Sequence, residues 1–240
     1  AIAGSKISPT FTTDGSFNSI NIGKGANSVA GNTALGANAL DASVSGGDNT
    51  AVGQAALSEL TSGSHNTGVG HDVLKNTTTG ANNTALGSNA LDANTTASNN
   101  TAIGKDALES NTTGVRNTAL GATALDASQT ANDNVAVGFE SLTTSTTGLQ
   151  NAAVGSKSLK SNTTGSNNTA LGFFALNANT TGANGVAVGK DALKSNTTGA
   201  QNTAVGTSSL DANTTGQFNV ALGQSALGGN STGNNNTGLG

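Results

Sequence analysis

The chain has few of the residues that usually hold a globular domain together. Its 240 residues include no Cys, Met, Trp or Tyr and a single Pro, and only 9% of them are charged, against about 25% in an average domain. The absence of Cys excludes disulfides, thiolate metal sites and cysteine nucleophiles. No apolar run approaches the roughly 20 residues of a membrane span, so we expect no membrane insertion.

The charges are sparse and nearly balanced. Lys and Arg together number 9 and Asp and Glu number 13, which gives a net charge of −4. Without a run of basic residues the chain cannot neutralise many phosphates, so we expect no nucleic-acid partner. The small net charge also argues against disorder, which needs strong self-repulsion. The abundant residues are instead 34 Gly, 36 Thr and 33 Asn.

These abundant residues belong to a 17-residue repeat. An Asn-Thr-Ala-aliphatic-Gly motif begins at Asn32 and returns every 17 residues up to Asn236, giving twelve full repeats and the first five residues of a thirteenth. The consensus is N-T-A-[LVI]-G-x-x-A-L-x-x-N-T-T-G-x-x, and we number its positions as columns one to seventeen. Column five is Gly in all 13 copies and column nine is Leu in all 12.

The repeat predicts an all-β fold, a parallel β-solenoid with one 17-residue coil per repeat. The period is shorter than that of helix-pair repeats, and the recurring Gly opposes a helix. We expect a short strand in columns one to five, and a second strand or one helical turn in columns seven to eleven. The N-T-T-G sequence supplies the return turn. At about 4.8 Å per coil, the rod is about 58 Å long.

Repeated side chains should form ladders along the rod. In two successive repeats the candidate ladder residues are Asn100, Ile103, Gly104 and Leu108, and then Asn117, Leu120, Gly121 and Leu125. We expect the column-two Thr and the column-four aliphatics to point inward, and the small residues of columns three and eight to face another chain. Each coil then buries about two large apolar side chains, which is little against the lost backbone entropy. This deficit predicts self-association, most naturally as a homotrimeric fibre.

The chain divides into three parts. Residues 32–240 hold the repeats, and we interpret residues 19–31 as a shorter, 13-residue rung that begins with a strand. Residues 1–18, with Pro9, form a segment that leads into the repeats or connects them to a preceding domain. Because neither an initiator Met nor a signal peptide is present, we expect a processed chain or a segment of a longer one.

Two repeats carry a resemblance to a known family. Residues 100–114, N-T-A-I-G-K-D-A-L-E-S-N-T-T-G, and the similar residues 168–182 resemble the repeats of tail-fibre proteins of bacteriophages and bacteria. The segment around residues 18–31 is similar to the head repeats of trimeric autotransporter adhesins. The resemblance implies the structural shaft of a phage tail fibre, outside the cell or on the virion surface, projecting a receptor-binding tip for host attachment. The alternative is a bacterial surface adhesin or extracellular filament of the same coil.

Few residues indicate chemistry. His65 and His71 with Asp72 lie in variable columns, which favours a solvated surface, and no nucleophile elbow, phosphate loop or acidic column is present. We therefore expect no enzyme and no catalytic, cofactor-binding or metal-binding residues. Four Phe residues in variable columns are candidates for contact with a cell-surface receptor or glycan, or for filling grooves between chains. They are Phe139, Phe173, Phe174 and Phe218.

The Thr rows leave a third functional class open. Column two is Thr in 9 of 13 copies and column fourteen in 10 of 12, and flat Thr arrays on solenoids can order water. If the Thr side chains of column two point inward, they are not on the surface. Column fourteen alone then gives a single row of Thr side chains instead of a flat array. Ice binding is therefore the least favoured alternative.

Overall fold

The computed structural model describes residues 15–17 and 20–240 and confirms the predicted parallel β-solenoid. Each repeat forms one coil, so that coil 1 begins at Asn32 and coil 10 at Gly185. A 3₁₀ turn, Ala26–Ser28, precedes the coils. The strands are β1 (Gly15–Phe17), β2 (Ile20–Gly23), β3 (Thr33–Gly36), β4 (Thr50–Val52), β5 (Thr67–Val69), β6 (Thr84–Leu86), β7 (Thr101–Ile103), β8 (Thr118–Leu120), β9 (Val135–Val137), β10 (Ala152–Val154), β11 (Thr169–Leu171), β12 (Val186–Val188), β13 (Thr203–Val205), β14 (Val220–Leu222) and β15 (Thr237–Leu239).

The strands form one sheet in chain order. From β3 to β15 all neighbours are parallel with a constant 17-residue register, for example Ala102 opposite Ala119. At the first edge, β1 and β2 form an antiparallel hairpin, and β2 runs antiparallel to β3 with Ile22 opposite Leu35. The strand expected in residues 19–31 is therefore present but reversed, and it covers the sheet edge rather than forming a parallel rung. Residues 1–14, 18 and 19, including Pro9, lie outside the described residues.

Each coil has three segments. The strand segment is columns two to four, the turn segment is columns six to eleven, and the return segment is columns twelve to seventeen. Among the described residues, the turn segment contains neither of the elements expected there, since it forms consecutive turns. The corner between strand and turn segments requires Gly: Gly104 has φ of 137°, and an added Cβ would lie 2.5 Å from the Gly121 carbonyl oxygen.

The interior is lined by columns three, eight and nine, which corrects the expected orientation of the strands. Ala102, Ala107 and Leu108 are fully buried within their own coil. The small residues, from Ala34 and Ala39 onward, therefore cannot face another chain. Ile103 and Leu120 point outward instead of forming a core ladder. The physical reason is space, because the strand lies so close to the column-nine leucines that only a methyl group fits between them.

Coil 3 shows how tight this space is. It has Gly68 in column three and Val73 in column eight, where the other eleven full coils have Ala and then Ala or Ser. A Cβ added at Gly68 would lie 3.2 Å from Val73 Cγ1 and 3.5 Å from Leu74 Cδ1. The larger Val side chain thus occupies the volume that the missing Ala methyl leaves.

The column-nine leucines adopt an uncommon backbone. All twelve have left-handed φ values, as in Leu108 at 52° and Leu125 at 53°, a conformation that costs an L-residue about 1–2 kcal/mol. Burial of a leucine side chain is worth about 1.5–3 kcal/mol. Both named leucines are completely buried, so the burial of each side chain offsets the strain of its backbone.

Column one forms a buried file of asparagines. Asn151 shows the pattern, since its backbone N–H donates to Asn134 Oδ1 at 2.9 Å and its Nδ2 donates to the Gly165 carbonyl at 2.9 Å. The same backbone bond joins Asn100 to Asn117 at 2.9 Å. From Asn32 to Asn219, every amide in the file thereby accepts from the next coil and donates within its own, so that these buried polar side chains are hydrogen-bonded.

A second file of amides runs along column twelve from coil 4 to coil 12. Asn162 Nδ2 donates to the same Gly165 carbonyl at 2.9 Å, and Asn179 Nδ2 donates to Asn162 Oδ1 at 2.9 Å. The file is interrupted in coils 6 and 7, where Ser128 and Ser145 are buried with hydroxyl groups that find no partner among the described residues. Two amide files therefore share the column-fifteen carbonyls as acceptors.

The column-one file has one gap, at Gly185. Its backbone N–H still donates to Asn168 Oδ1 at 2.8 Å, but it offers no side-chain oxygen to the next coil. The next column-one residue, Asn202, therefore has no side-chain oxygen to accept from its backbone N–H. Between Asn49 and Asn236 it is the one column-one residue of the described chain in this position. The contact between coils 10 and 11 is therefore short of hydrogen bonds.

Replacing this glycine with asparagine should stabilise the rod. Gly185→Asn completes the file and reduces the entropy of the unfolded chain, so we expect the free energy of unfolding to rise by about 1–2 kcal/mol. Denaturant unfolding followed by circular dichroism measures the change. Gly185→Ala is the control, because it supplies the Cβ without the amide, and we expect it to give less than half the gain. Equal effects of the two variants would contradict a stabilising role for the amide.

Candidate functional site

The most extended surface feature is the outer side of the sheet, formed by columns two and four, which we call the strand face. Its column-four side chains are large and apolar, and Leu86, Leu120 and Leu171 are 49%, 45% and 48% exposed. The Thr side chains of column two lie on the same face because they are two residues away. The expectation that the column-two side chains point inward is therefore wrong. As for column four, the reason is that only a methyl group fits between the strand and the column-nine leucines.

The candidate Phe residues fall into two groups. Phe139, Phe173 and Phe174 lie on the turn segments of coils 7 and 9, whereas Phe218 ends the return segment of coil 11. The rings of Phe173 and Phe174 meet edge to face with centroids 4.4 Å apart. Lys157 Nζ and Lys194 Nζ lie 5.5 and 5.3 Å from the Phe174 centroid, within range of a cation–π interaction.

Lysines surround this first group of Phe residues. Lys160 Nζ is 2.6 Å and Lys157 Nζ 3.9 Å from Glu140 Oε2, and one coil above Phe174 the Asp191 carboxylate lies between Lys190 at 3.7 Å and Lys194 at 3.2 Å. Sequence analysis missed this grouping, although stacking the chain in rows of 17 residues would have revealed it. We call the set the Phe–Lys patch: Phe139, Phe173, Phe174, Lys157, Lys160, Lys190, Lys194, Glu140 and Asp191.

An acidic ridge lies on the turn segments of coils 4 to 6. It consists of Asp92, Asp106, Glu109 and Asp126. Burial is the main reason that the pKa of Asp92, of Glu109 and of Asp126 is raised, and neighbouring carboxylates add to the effect. A hydrogen bond with Glu109 partly opposes the rise at Asp126. These three carboxylates of the ridge are thus held at some cost in their charged form.

Two ion pairs on the surface, one of them partly buried, shift carboxylate pKa values the other way. Arg116 and Asp133 stack in column seventeen of adjacent coils, with Nε to Oδ1 at 2.6 Å and Nη2 to Oδ2 at 2.9 Å. The hydrogen bond from Arg116 lowers the pKa of Asp133, and that from Lys160 lowers the pKa of Glu140. Their stabilising contribution is present at neutral pH and is lost as the pH falls through these lowered values.

The histidines lie apart from both surfaces. His71 Nδ1 is 3.1 Å from Asp72 Oδ2, and both residues line a shallow, open cavity of about 390 Å³ on coils 1 to 3, together with Lys75. His65 Nδ1 lies 3.7 Å from Asp48 on the return segments. The structure therefore does not bring the two histidines into one site. Asp72 also contacts Lys75 Nζ at 3.3 Å, so its charge is shared.

Searches for other kinds of site and for relatives give no assignment. Within residues 15–17 and 20–240, no three His, Cys, Asp or Glu side chains are grouped so as to hold a metal ion. The described residues contain no helix long and apolar enough to cross a membrane. Comparison of the chain with protein-family models, with curated proteins and with solved structures finds no match.

The acidic ridge makes stability depend on pH in a defined direction. Because the pKa values of Asp92, Glu109 and Asp126 are raised in the folded state, their charged forms destabilise the fold at neutral pH. That cost is relieved as the pH falls through the raised values and is absent below the unfolded-state values near 4. Glu109→Gln should therefore stabilise the chain at pH 7, by about 0.5 kcal/mol after solvent screening.

Thermal unfolding at a series of pH values measures this effect. The advantage of Glu109→Gln over the unmodified chain should shrink as the pH falls from 7 to 4. Glu59→Gln is the control, since Glu59 lies on coil 2 outside the ridge and should show no such trend. A constant advantage across the pH range would mean that packing, and not charge, accounts for the change.

Proposed function

We propose that this chain is a shaft segment of a homotrimeric fibre, similar in kind to a phage tail fibre, that holds a receptor-binding tip away from its base for host attachment. The observation that carries the proposal is the strand face. Its column four is a continuous apolar stripe along a rod whose interior is already filled by its own coils. A shaft of this kind would work outside the cell or on the surface of a virion.

The size of the strand face supports association through it. Thirteen parallel strands at about 4.8 Å spacing extend over about 58 Å. With a width of about 12 Å including flanking side chains, the face covers roughly 700 Å². This area is close to the roughly 800 Å² per partner that a standard interface buries. The strand face is therefore large enough to form an interface with a second and a third copy of the chain.

The regularity of the strand face favours copies that lie parallel to one another. Every coil presents the same two columns at the same height, so a contact made at one level is repeated at each level along the rod. Parallel copies around a common axis would place their column-four side chains together at that axis. Such an arrangement has closed symmetry and does not extend into open aggregates.

The assembly is tested by removing apolar side chains from the strand face. We expect the unmodified chain to sediment at three times its mass of 23.0 kDa. The triple variant with Leu86→Gln, Leu120→Gln and Leu171→Gln should be monomeric because it places polar groups in the interface. Analytical ultracentrifugation measures the mass, and circular dichroism checks that the solenoid persists.

Leu149→Gln is the matched control for the triple variant. Leu149 is 39% exposed but lies in column sixteen of the return segment, where coil 11 has Gln217. It should leave the trimer intact. A monomeric unmodified chain at micromolar concentration would rule out the assembly, and a folded monomer of the control variant would place the interface on a different side.

Ice binding is a second candidate function because column two faces outward. Six successive coils carry Thr there, at Thr33, Thr50, Thr67, Thr84, Thr101 and Thr118. The parallel strands space these side chains about 4.8 Å apart beside a row of aliphatic groups. A flat, regular row of hydroxyl and methyl groups can order water. Val135 and Ala152 end the row in coils 7 and 8, so this surface is shorter than the rod.

If the Thr row binds ice, the strand face is free and the unmodified chain is a monomer, so the thermal hysteresis of the unmodified chain tests this candidate. If the Thr row binds ice, Thr84→Leu should abolish most of the hysteresis because it interrupts the row in coil 4. Thr96→Leu, in the exposed column fourteen of the same coil, should leave it unchanged. The absence of hysteresis in the unmodified monomer would eliminate ice binding.

A further inference from the structure

The Phe–Lys patch has a defined geometry on the turn segments. In column six, Phe139 and Phe173 are 50% and 47% exposed and lie two coils apart, about 10 Å along the rod. Ser156 lies between them in coil 8. The small side chain leaves a gap between two exposed aromatic rings.

Contacts beneath the surface hold one of these rings in place. Phe173 packs edge to face on the half-buried Phe174, with planes inclined at 78°. Phe174 in turn lies near the ammonium groups of Lys157 and Lys194. Because its neighbour is fixed on several sides, the Phe173 ring is presented to solvent in a defined orientation.

Positive charge is concentrated around the rings. The patch contains four of the nine basic residues of the chain, but only the two carboxylates of Glu140 and Asp191. Each carboxylate lies between two lysines, so each pair of lysines keeps one uncompensated charge. The patch therefore carries about +2 in a chain whose net charge is −4.

From this combination we propose that the Phe–Lys patch binds an acidic polysaccharide. The exposed Phe rings stack against the apolar C–H faces of sugar rings, and the sugar that bridges them passes over Ser156. The lysine pairs on coil 8 and on coil 10 bind carboxylate or phosphate groups of the saccharide. The glycan runs along the rod and covers coils 7 to 10.

The surroundings of the patch favour a glycan over a nucleic acid. Single strands also stack on aromatic rings, but each nucleotide adds a phosphate charge that the protein must neutralise. Two uncompensated charges suit a saccharide with occasional acidic groups. The acidic ridge begins at Asp126, one coil below Phe139, and would repel a longer polyanion that extended in that direction.

The patch does not depend on assembly of the fibre. Its residues lie on the turn segments, beyond the corner glycines of column five, whereas the proposed chain–chain contact uses columns two and four of the strand segments. A monomeric variant should therefore bind the saccharide as well as the unmodified chain does. Loss of the trimer and loss of saccharide binding are separate results.

Isothermal titration with defined saccharides tests the proposal. The probe is an oligogalacturonate of ten units, and its fully methyl-esterified form is the neutral counterpart. We expect a dissociation constant below 1 mM for the acid, and at least tenfold weaker binding of the ester. Phe173→Ala and the double variant Lys190→Ser and Lys194→Ser should each weaken binding of the acid at least tenfold.

Two matched variants control for general effects of the substitutions. Phe218→Ala removes an equally exposed ring outside the patch, and Lys75→Ser removes a column-ten lysine from coil 3. Both should bind as the unmodified chain does. The test substitutions should not prevent folding, because other coils carry small residues at the same positions. Column six, which contains Phe173 and Lys190, is Ala in coils 1 and 6 and has Ser or Thr207 in others. Column ten, which contains Lys194, is Ser58 in coil 2.

Several results would overturn the proposal. Failure to bind the oligogalacturonate, or equal affinity for the ester, would show that the lysines do not recognise an acidic sugar. Tighter binding of a twelve-residue oligothymidylate would assign the patch to single-stranded nucleic acid instead. A loss in Phe218→Ala equal to that in Phe173→Ala would mean that the patch is not the binding site.

Discussion

The structure depends on hydrogen bonding between adjacent coils, whose strands pair in a 17-residue register. Backbone groups in the strand, turn and return segments bond to the coil above or below, as Thr101 N–H does to the Asn117 carbonyl at 2.9 Å and Gly104 N–H to the Leu86 carbonyl at 2.8 Å. A residue added to or removed from any coil would shift these pairs out of register. The unbroken 17-residue period is therefore a condition of the fold, and the Asn files reinforce it from inside.

The sparse composition follows from the narrow interior. One leucine and two small side chains nearly fill the apolar part of a coil, and aromatic residues have no room there. The remaining interior is polar, but the column-one and column-twelve amides find acceptors in carbonyls such as that of Gly165. A low content of large apolar residues is thus compatible with a well-packed interior when the interior is one side chain across.

Sequence reasoning predicts the coil but not which way its strand faces. The period, the corner Gly and the invariant Leu give the solenoid and the buried Leu108 and Leu125. Alternation along a strand separates Ala102 from Thr101 and Ile103 but does not say which side is inside. Which side faces inward depends on the distance between the strand and the column-nine leucines of the turn segment, and this distance is defined only once the coil is closed. The usual backbone preference of leucine likewise does not predict the left-handed φ of the column-nine residues. The sequence of residues 20–23 does not predict that this strand runs antiparallel to the next one.

The same stacking has a consequence for how the rod responds to force. Each coil bonds only to its neighbours, so the chain can be peeled from an end one coil at a time. Each step exchanges about 4.8 Å of rod for about 56–61 Å of extended chain, while the coils that remain keep their contacts. A fibre built in this way would lengthen many-fold under tension before it broke, and would absorb mechanical work in small, repeated steps.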